Sequence, residues 1–217
     1  VAVLARTDGK VDLIDYADLS GYVWRTHVID RVFERTDVDD GEFCRFIELV
    51  SSEDMGRVRA HRSAIGYLLH GFKRLSDNRA IIYNDAVINN NPNGGSGKGL
   101  ISQAIAKVRR MSVIDGKSFS FDKGFPYQTV SADCQALLFD DVPKRFNFER
   151  LFSIITEGIV LEKKNKDAMR LSLQDTPKIA ITTNYTIEGK GGSHDRRRWE
   201  LEVSGHFNSL HTPENEF

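Results

Sequence analysis

Residues 91–99 read Asn-Pro-Asn-Gly-Gly-Ser-Gly-Lys-Gly and join a β-type segment to a helical one. Before them, residues 80–83 and 86–88 are short runs of β-forming residues. After them, apolar residues recur at helical spacing over 100–110. A glycine-rich loop between a strand and a helix gathers backbone N–H groups at the positive end of the helix dipole. The loop therefore predicts a site for nucleotide phosphates.

The loop carries its own candidate ligands. Lys98 supplies a mobile cation for the β and γ phosphates, and glycines on either side let the backbone fold tightly. Compared with the pattern G-x-x-x-x-G-K-[ST], Pro92 replaces the first glycine and Gly99 replaces the hydroxyl residue that ligates magnesium. Taken alone, the loop could be an ordinary turn, although a turn does not require Gly-Lys at a helix start. The residues expected to bind nucleotide are Asn93, Gly94, Gly95, Ser96, Gly97, Lys98, Gly99 and Leu100.

A pair of acids follows about 40 residues further along the chain. Residues 136–141 read Ala-Leu-Leu-Phe-Asp-Asp, an apolar strand that ends in Asp140 and Asp141. Two carboxylates at the end of a buried strand suit magnesium binding by one and water activation by the other. The alternative is a solvated Asp-Asp turn. After a phosphate loop at this distance, we expect the functional pair.

Two further polar groups come after the acids. Residues 177–184 form another apolar run, which ends in Asn184, an amide suited to orienting an attacking water. Arg196, Arg197 and Arg198 then follow a glycine-rich loop, and arginines stabilise the charge on a transferred phosphoryl group. Taken singly, these are also compatible with an Asn turn and a solvated basic patch.

Composition excludes some classes of protein. The chain has 217 residues, 40% hydrophobic and 28% charged, which is typical of a globular domain with a small appendage. No apolar stretch approaches the roughly 20 residues of a membrane span, and the first residues do not show the basic-then-apolar pattern of a signal peptide. Cys44 and Cys134 have no metal-ligand spacing, so we expect buried thiols in a reducing, cytoplasmic compartment. Because the sequence begins at Val1, a fragment of a longer protein is expected.

Charge is unevenly distributed along the chain. Residues 1–60 carry 13 acidic and 8 basic side chains, whereas residues 142–198 carry 12 basic and 7 acidic ones. An anionic polymer would be attracted to the second region.

The order of segments predicts an α/β fold. We expect a mainly helical N-terminal region over 1–78, based on helical spacing within 11–75, followed by a P-loop core over 79–217. Strands alternating with helices predict a parallel sheet flanked by helices. No catalytic constellation is visible in the helical region, where His61 and His70 are expected to pack or face solvent. Further β-type segments are 135–139, 158–162, 169–173 and 178–183.

In this order, the four motifs resemble those of the superfamily 3 helicases, and in particular the phage and poxvirus-type primase-helicases. These are AAA+-type ATPases of viruses, phages and plasmids, and the resemblance covers residues 80–207. It implies ATP and Mg²⁺ as cofactors. The implied roles are phosphate contact for Lys98, magnesium binding for Asp140, water polarisation for Asp141, sensing for Asn184, and an arginine finger across a subunit interface for Arg196 or Arg197.

The resemblance also implies a basic β-hairpin that grips single-stranded DNA between the acid pair and the sensor strand. Residues 158–166 fit this description, with Lys163, Lys164 and Lys166 at the tip. A charged hairpin turn is the alternative reading. The implied partners are single-stranded DNA or a forked duplex, further copies of the chain in a ring (a hexamer), and a preceding primase domain. The implied location is the host cytoplasm, with no membrane association.

Two other functions remain open on the sequence. A P-loop kinase acting on a nucleotide or polynucleotide would need a lid and an acceptor pocket, and no dedicated segment for either is visible. A scaffold that binds ATP without hydrolysing it is the third possibility, which the paired acids disfavour and the missing hydroxyl at Gly99 favours.

Overall fold

The computed structural model describes residues 1–6, 8, 10–34, 41–87 and 94–217. These residues form two compact units, Val1–Val32 and Phe33–Phe217. The first unit contains an antiparallel hairpin of β1 (Ala2–Ala5) and β2 (Val11–Ile14). Two single-turn 3₁₀ helices follow, at Tyr16–Asp18 and Arg25–His27.

The second unit holds the remaining helices and strands. Its helices are α1 (Glu42–Val50), α2 (Met55–Leu69), α3 (Lys98–Ala106), α4 (Phe152–Thr156), α5 (Gly192–Asp195) and α6 (Pro213–Glu216), with a 3₁₀ turn at Phe148–Leu151 before α4. Its strands are β3 (Ala80–Asp85), β4 (Met111–Asp115), β5 (Ala136–Val142), β6 (Gly158–Leu161), β7 (Met169–Ser172), β8 (Lys178–Thr183) and β9 (Arg198–Val203).

Five of these strands form one parallel sheet in the order β4-β5-β8-β3-β9. The expected α/β fold, a parallel sheet flanked by helices, is confirmed. Because all five strands run the same way, the carboxyl ends of β5, β8 and β3 meet side by side at one edge. Every residue of β8 is buried, and residues 179–181 give the strand an apolar centre.

Apolar side chains cover both faces of the sheet. On one face, α1, α2 and α3 supply Phe46, Leu68 and Ile101, each at most 1% exposed. On the other face, α4 and the turn before it supply Leu151 and Ile155 to the second cluster. The two layers hold the strands rigidly, so that loops at the sheet edge have a fixed base.

The helical prediction for 11–75 is correct only in part. Helices occupy Glu42–Val50 and Met55–Leu69, whereas Val11–Ile14 is a strand paired with β1. Asp54 is the N-cap of α2, since its carboxylate accepts the Arg57 N–H at 2.8 Å. The domain boundary at 78/79 stays a prediction, and the compact units divide elsewhere, between Val32 and Phe33.

Three smaller expectations can also be compared with the structure. The run at 86–88 does not extend the sheet over its described part, because Ala86 and Val87 form a bend where the chain leaves β3, and Ile88 lies outside the described residues. Cys134 is buried and Cys44 half-buried, and both are free thiols. None of the described helices has the length and hydropathy needed to cross a bilayer.

Candidate nucleotide site

An open cleft of about 420 Å³ lies at the carboxyl edge of the parallel sheet. Its wall is built by the loop before α3, the ends of β5 and β8, and a segment close to the C-terminus. The lining residues are Gly94, Gly95, Ser96, Gly97, Lys98, Gly99, Leu100, Gln103, Asp140, Asp141, Thr182, Asn184, Thr212, Pro213 and Glu214. Three of the four sequence motifs, the glycine loop, the acid pair and Asn184, therefore line one cleft.

The loop before α3 needs glycine at one position for two separate reasons. Gly97 has a φ of 94°, in the left-handed region that favours glycine. A Cβ atom at this position would also lie 2.9 Å from two ring atoms of Phe46, a core residue of α1. Gly97 is the N-cap of α3, so the unpaired N–H groups of the first helical turn begin at the loop. The packing of α1 thus fixes the loop that opens into the cleft.

We expect Gly97→Ala to destabilise the protein by roughly 1–3 kcal/mol, because it adds a strained φ and a contact with the Phe46 ring. Gly99→Ala is the matched control, since a Cβ atom there meets nothing within 4 Å. Urea unfolding followed by circular dichroism measures both variants. Equal midpoints for Gly97→Ala and Gly99→Ala would contradict the role given to the Phe46 contact.

Lys98 lies at the centre of a compact polar network. Its Nζ atom donates hydrogen bonds to Asp85 Oδ1, to Ser96 Oγ at 3.0 Å and to Asn184 Oδ1 at 2.9 Å. Ser96 Oγ also donates to Asp85 Oδ1, at 2.6 Å. The Lys98 side chain is only 11% exposed, so its charge acts in a poorly solvated site where electrostatic interactions are strong. A bound phosphate would compete with these oxygens for the same ammonium group.

The two acids lie at an irregularity of β5. The register with β8 shifts between Phe139 and Val142, and Asp141 has a φ of 52°, unusual for a residue with a side chain. Thr182 holds both acids: its Oγ1 donates to Asp140 Oδ1 at 2.6 Å and accepts the Asp141 N–H at 2.7 Å. A bulge beside a site redirects side chains, and here it leaves two consecutive carboxylates on the cleft wall.

The acid pair is connected to Lys98 through Asn184. The Asn184 side chain accepts from Lys98 with its oxygen and donates to Asp141 Oδ1 with its nitrogen, at 3.1 Å. Lys117 forms an ion pair with the other oxygen of Asp141, at 2.5 Å. The hydrogen bond to Asp141 raises the pKa of Lys117 above its ordinary value. One amide side chain thus contacts both the Lys98 ammonium and the Asp141 carboxylate.

The donor set suits magnesium. Mg²⁺ takes oxygen ligands and is usually held by one or two carboxylates while it keeps several waters. Asp140 and Asp141 supply two carboxylates on the cleft wall. Gly99 supplies no hydroxyl, but the space next to its Cα is open, so a water fits where a Ser or Thr side chain would ligate.

Arg196 and Arg197, which were predicted to act at the site, do not line this cleft. Arg196 and Arg197 come just before β9, at the amino edge of the sheet, about 20 Å away along a six-residue strand. Arg197 lies over the ring of Phe152, 4.6 Å from its centroid. Asn93 lies outside the described residues, so its predicted contact with nucleotide stays a prediction.

The basic segment forms the expected hairpin. Strands β6 and β7 pair antiparallel from Gly158 to Ser172, and Lys166 N donates to Lys163 O at 3.1 Å within the tip. Lys164 and Lys166 are exposed, and Lys163 is half-buried. The shape agrees with the prediction, whereas DNA binding by these lysines stays a prediction.

The sequence did not single out several residues of the site. Asp85 is the last residue of β3, two residues beyond the predicted run 80–83, and extending that strand to its end would have included it. Thr182 precedes Asn184 in a motif that was recognised, but no role was given to it. Lys117 and the segment 212–214 carry no local pattern, since only the folded chain brings them to the cleft.

No family model matches the chain, and no curated protein matches it. Two solved structures of the NrS-1 C terminal region have a similar fold. One has a TM-score of 0.57 and 18% identity over 85% of this chain and 42% of its own, and the other has 0.55 and 18% over 84% and 42%. The JCV Helicase aligns with a TM-score of 0.43 and 9% identity over 75% of this chain and 44% of its own, which is too low to carry an argument.

The chain spans less than half the length of the NrS-1 structures that it matches. At 18% identity the likeness shows the fold and not the activity. The comparison shows that this chain shares its fold with the NrS-1 C terminal region.

Proposed function

We propose that this chain is the ATP-hydrolysing motor of a ring helicase that moves along single-stranded DNA. The observation that carries the proposal is the series of contacts from Asp85 through Lys98 and Asn184 to Asp141. Hydrogen bonds thus join a lysine ammonium, an amide and a carboxylate in series at the carboxyl edge of a parallel sheet. That is the arrangement needed to bind a nucleotide and to activate a water against its terminal phosphate.

The residues have distinct roles in this proposal. The N–H groups of the loop and Lys98 bind the phosphates, and Lys98 leaves Asp85 and Asn184 as it does so. Asp140, held by Thr182, carries the magnesium, which supplies charge neutralisation on the phosphate oxygens. Asp141 polarises the attacking water. Asn184 contacts both Lys98 and Asp141, so its position depends on whether a γ-phosphate is present.

The position of the arginines supports the proposal that the chain works in a ring. Arg196 and Arg197 lie at the amino edge of the sheet and so cannot reach the γ-phosphate bound at the carboxyl edge of the same chain. A finger from this position acts on the site of the next subunit, which requires a head-to-tail interface of the kind that closes into a ring. A hexamer is the ring size that the resemblance implies.

The hairpin tip is the proposed DNA contact. Lys163, Lys164 and Lys166 would bind phosphates of a strand in the central channel, so DNA binding weakens steeply with salt. A forked duplex, a preceding primase domain and a location in the host cytoplasm belong to the same proposal, and concern the whole protein rather than this chain alone.

The experiment measures phosphate release from ATP with and without single-stranded DNA. We expect the combined change of Lys163, Lys164 and Lys166 to Ala to keep the basal rate and to lose the stimulation by DNA. The slope of log affinity against log salt should fall by about 2, since each lost phosphate contact contributes roughly 0.7 on single strands.

A second triple variant gives the matched control. Lys10, Lys123 and Lys144 are exposed lysines outside the hairpin, and changing them to Ala removes the same charge. This variant should keep both the stimulation and the salt slope. Equal DNA stimulation in the hairpin variant and in the control would exclude the hairpin as the DNA contact. Transfer of the γ-phosphate to an acceptor instead of water would favour a kinase.

A further inference from the structure

The C-terminal segment 204–217 contains a cluster that the proposed function does not use. His206 Nε2 lies 2.7 Å from Glu216 Oε2, and His211 Nε2 lies 2.8 Å from the same oxygen. The potential ligand atoms of all three residues lie within 4.8 Å of one another. Two imidazole nitrogens and one carboxylate oxygen thus converge on one point.

Local hydrogen bonds bring these residues together. Asn208 N donates to His211 O at 2.9 Å, and Asn208 Oδ1 accepts the Leu210 N–H at 2.9 Å, so a tight turn returns His211 towards His206. Thr212 then caps α6 in a reciprocal capping box with Asn215, and this helix presents Glu216 to the two imidazoles. The backbone therefore brings together three side chains that are spaced five residues apart in sequence.

The core holds the segment in position. Phe207 is 1% exposed, and its ring stacks on Phe46 with a centroid distance of 5.5 Å. The His211 ring stacks on Phe207 at 5.7 Å, and the His206 ring meets it edge-on at 4.7 Å. Because Phe207 lies between the core and His211, the cluster rests on a rigid base, and little order has to be gained when an ion binds.

The ligand set selects a class of metal. Zn²⁺ binds imidazole nitrogen and carboxylate oxygen, and a set of two histidines and one glutamate leaves a fourth position for water. Mg²⁺ takes oxygen ligands and would not prefer this set. The side chains of His206, His211 and Glu216 are 34%, 43% and 27% exposed, so an ion can reach them from solvent.

The cluster lies next to one wall of the nucleotide cleft. Thr212, Pro213 and Glu214 lie between two of the clustered residues and form part of the nucleotide cleft wall. The same segment packs on the phosphate loop, since a Cβ atom at Gly95 would lie 3.4 Å from the carbonyl carbon of Asn208. We propose that His206, His211 and Glu216 form a Zn²⁺ site that fixes the C-terminal segment as one wall of the cleft.

Zinc binding is tested on metal-stripped protein from which any histidine tag has been removed. Isothermal titration with ZnCl₂ should give one site per chain, unchanged by millimolar MgCl₂. We expect the double change His206→Ala and His211→Ala to weaken binding by at least about 100-fold, and Glu216→Gln to weaken it at least about 10-fold. Circular dichroism checks that each variant is folded.

Glu214→Gln is the matched control, because it removes the same charge from the same helix outside the cluster. It should keep the zinc affinity of the wild type. A zinc affinity that the histidine changes leave intact would assign the metal to another place, such as the free thiols, and would overturn the proposal. A wild-type chain that binds no zinc would do the same.

Hydrogen exchange tests the structural consequence. Zinc should slow amide exchange over 204–217 in the wild type and leave exchange unchanged in the double histidine variant. Zinc bound without protection of this segment would refute the role in the cleft wall.

The expected effect on nucleotide rests on the proposed function. A fluorescent ATP analogue should bind a few-fold more tightly with zinc, because an ordered wall lowers the entropic cost of binding. Zinc protection in a chain that binds no nucleotide under any condition would instead contradict the proposed function and leave the metal site standing.

Discussion

Lys98→Ala is expected to reduce ATP hydrolysis by roughly 100- to 1,000-fold, the effect of removing one charged group that stabilises a transition state. Lys98 is the only lysine among the residues lining the described cleft. Its ammonium group contacts Asp85, Ser96 and Asn184. Lys117 pairs with Asp141 but does not line the cleft, and no other lining side chain is positively charged. Phosphate release at saturating ATP and Mg²⁺ measures the loss.

The control for this variant is Lys144→Ala, which removes an exposed lysine remote from the lining residues. It should hydrolyse ATP at the rate of the wild type. Because Lys98→Ala leaves the Asp85 carboxylate without its ion-pair partner, thermal unfolding must show that the variant is folded at the assay temperature. Near wild-type turnover in folded Lys98→Ala would refute the nucleotide site and the helicase proposal with it.

Three of the five sheet strands, β3, β5 and β8, were predicted from sequence, because burial on both faces leaves a short apolar run in each. β5 and β8 end at polar residues that mark the sheet edge. β4 and β9, the outer strands of the sheet, were not predicted, since both are partly exposed and β9 alternates charged with apolar residues. The glycine loop identified the edge at β3. The order of the four motifs implied that Lys98, Asp140 and Asn184 act together, and the parallel sheet accounts for this because the carboxyl ends of its strands lie side by side.

Other parts of the site depend on contacts between distant segments, and no local pattern predicts them. Lys117 reaches Asp141 only because β4 lies beside β5. The segment 212–214 reaches the phosphate loop only because Phe207 is anchored against Phe46. In both cases the residue spacing resembles that of ordinary surface loops, and the information lies in the tertiary packing.

Lys178 illustrates how tertiary context overrides residue type. A lysine is normally exposed, yet this one is 2% exposed at the start of β8. Its Nζ donates to the carbonyl oxygen of Tyr67 at 2.5 Å and lies 3.7 Å from the centroid of the Tyr67 ring. Burial lowers the pKa of Lys178 to about 7. The lysine was included in a predicted strand, but its burial was not predictable from the sequence.

Arg196→Ala is expected to reduce ATP hydrolysis about 1,000-fold, which is the lower end of the effect of an arginine finger. This loss is expected although Arg196 lies at the amino edge of the sheet, away from the cleft of its own chain. Arg196 is exposed, whereas the Arg197 guanidinium stacks on Phe152 within the same chain. We therefore expect Arg196 to act on the neighbouring subunit and Arg197→Ala to cost less. Phosphate release from the two single variants measures the difference.

Mixing inactive variants tests whether the arginine acts in trans. In a randomly mixed ring of Lys98→Ala and Arg196→Ala chains, about one interface in four joins an intact Lys98 to an intact Arg196, because the contact is head-to-tail. The mixture should thus regain about a quarter of the wild-type rate, although neither variant is active alone. The control mixes Lys98→Ala chains with chains that carry both changes. Because no chain in this mixture keeps Lys98, it should regain no activity. If mass measurement shows mixed rings and activity is still absent, Arg196 is not a finger for the neighbouring site.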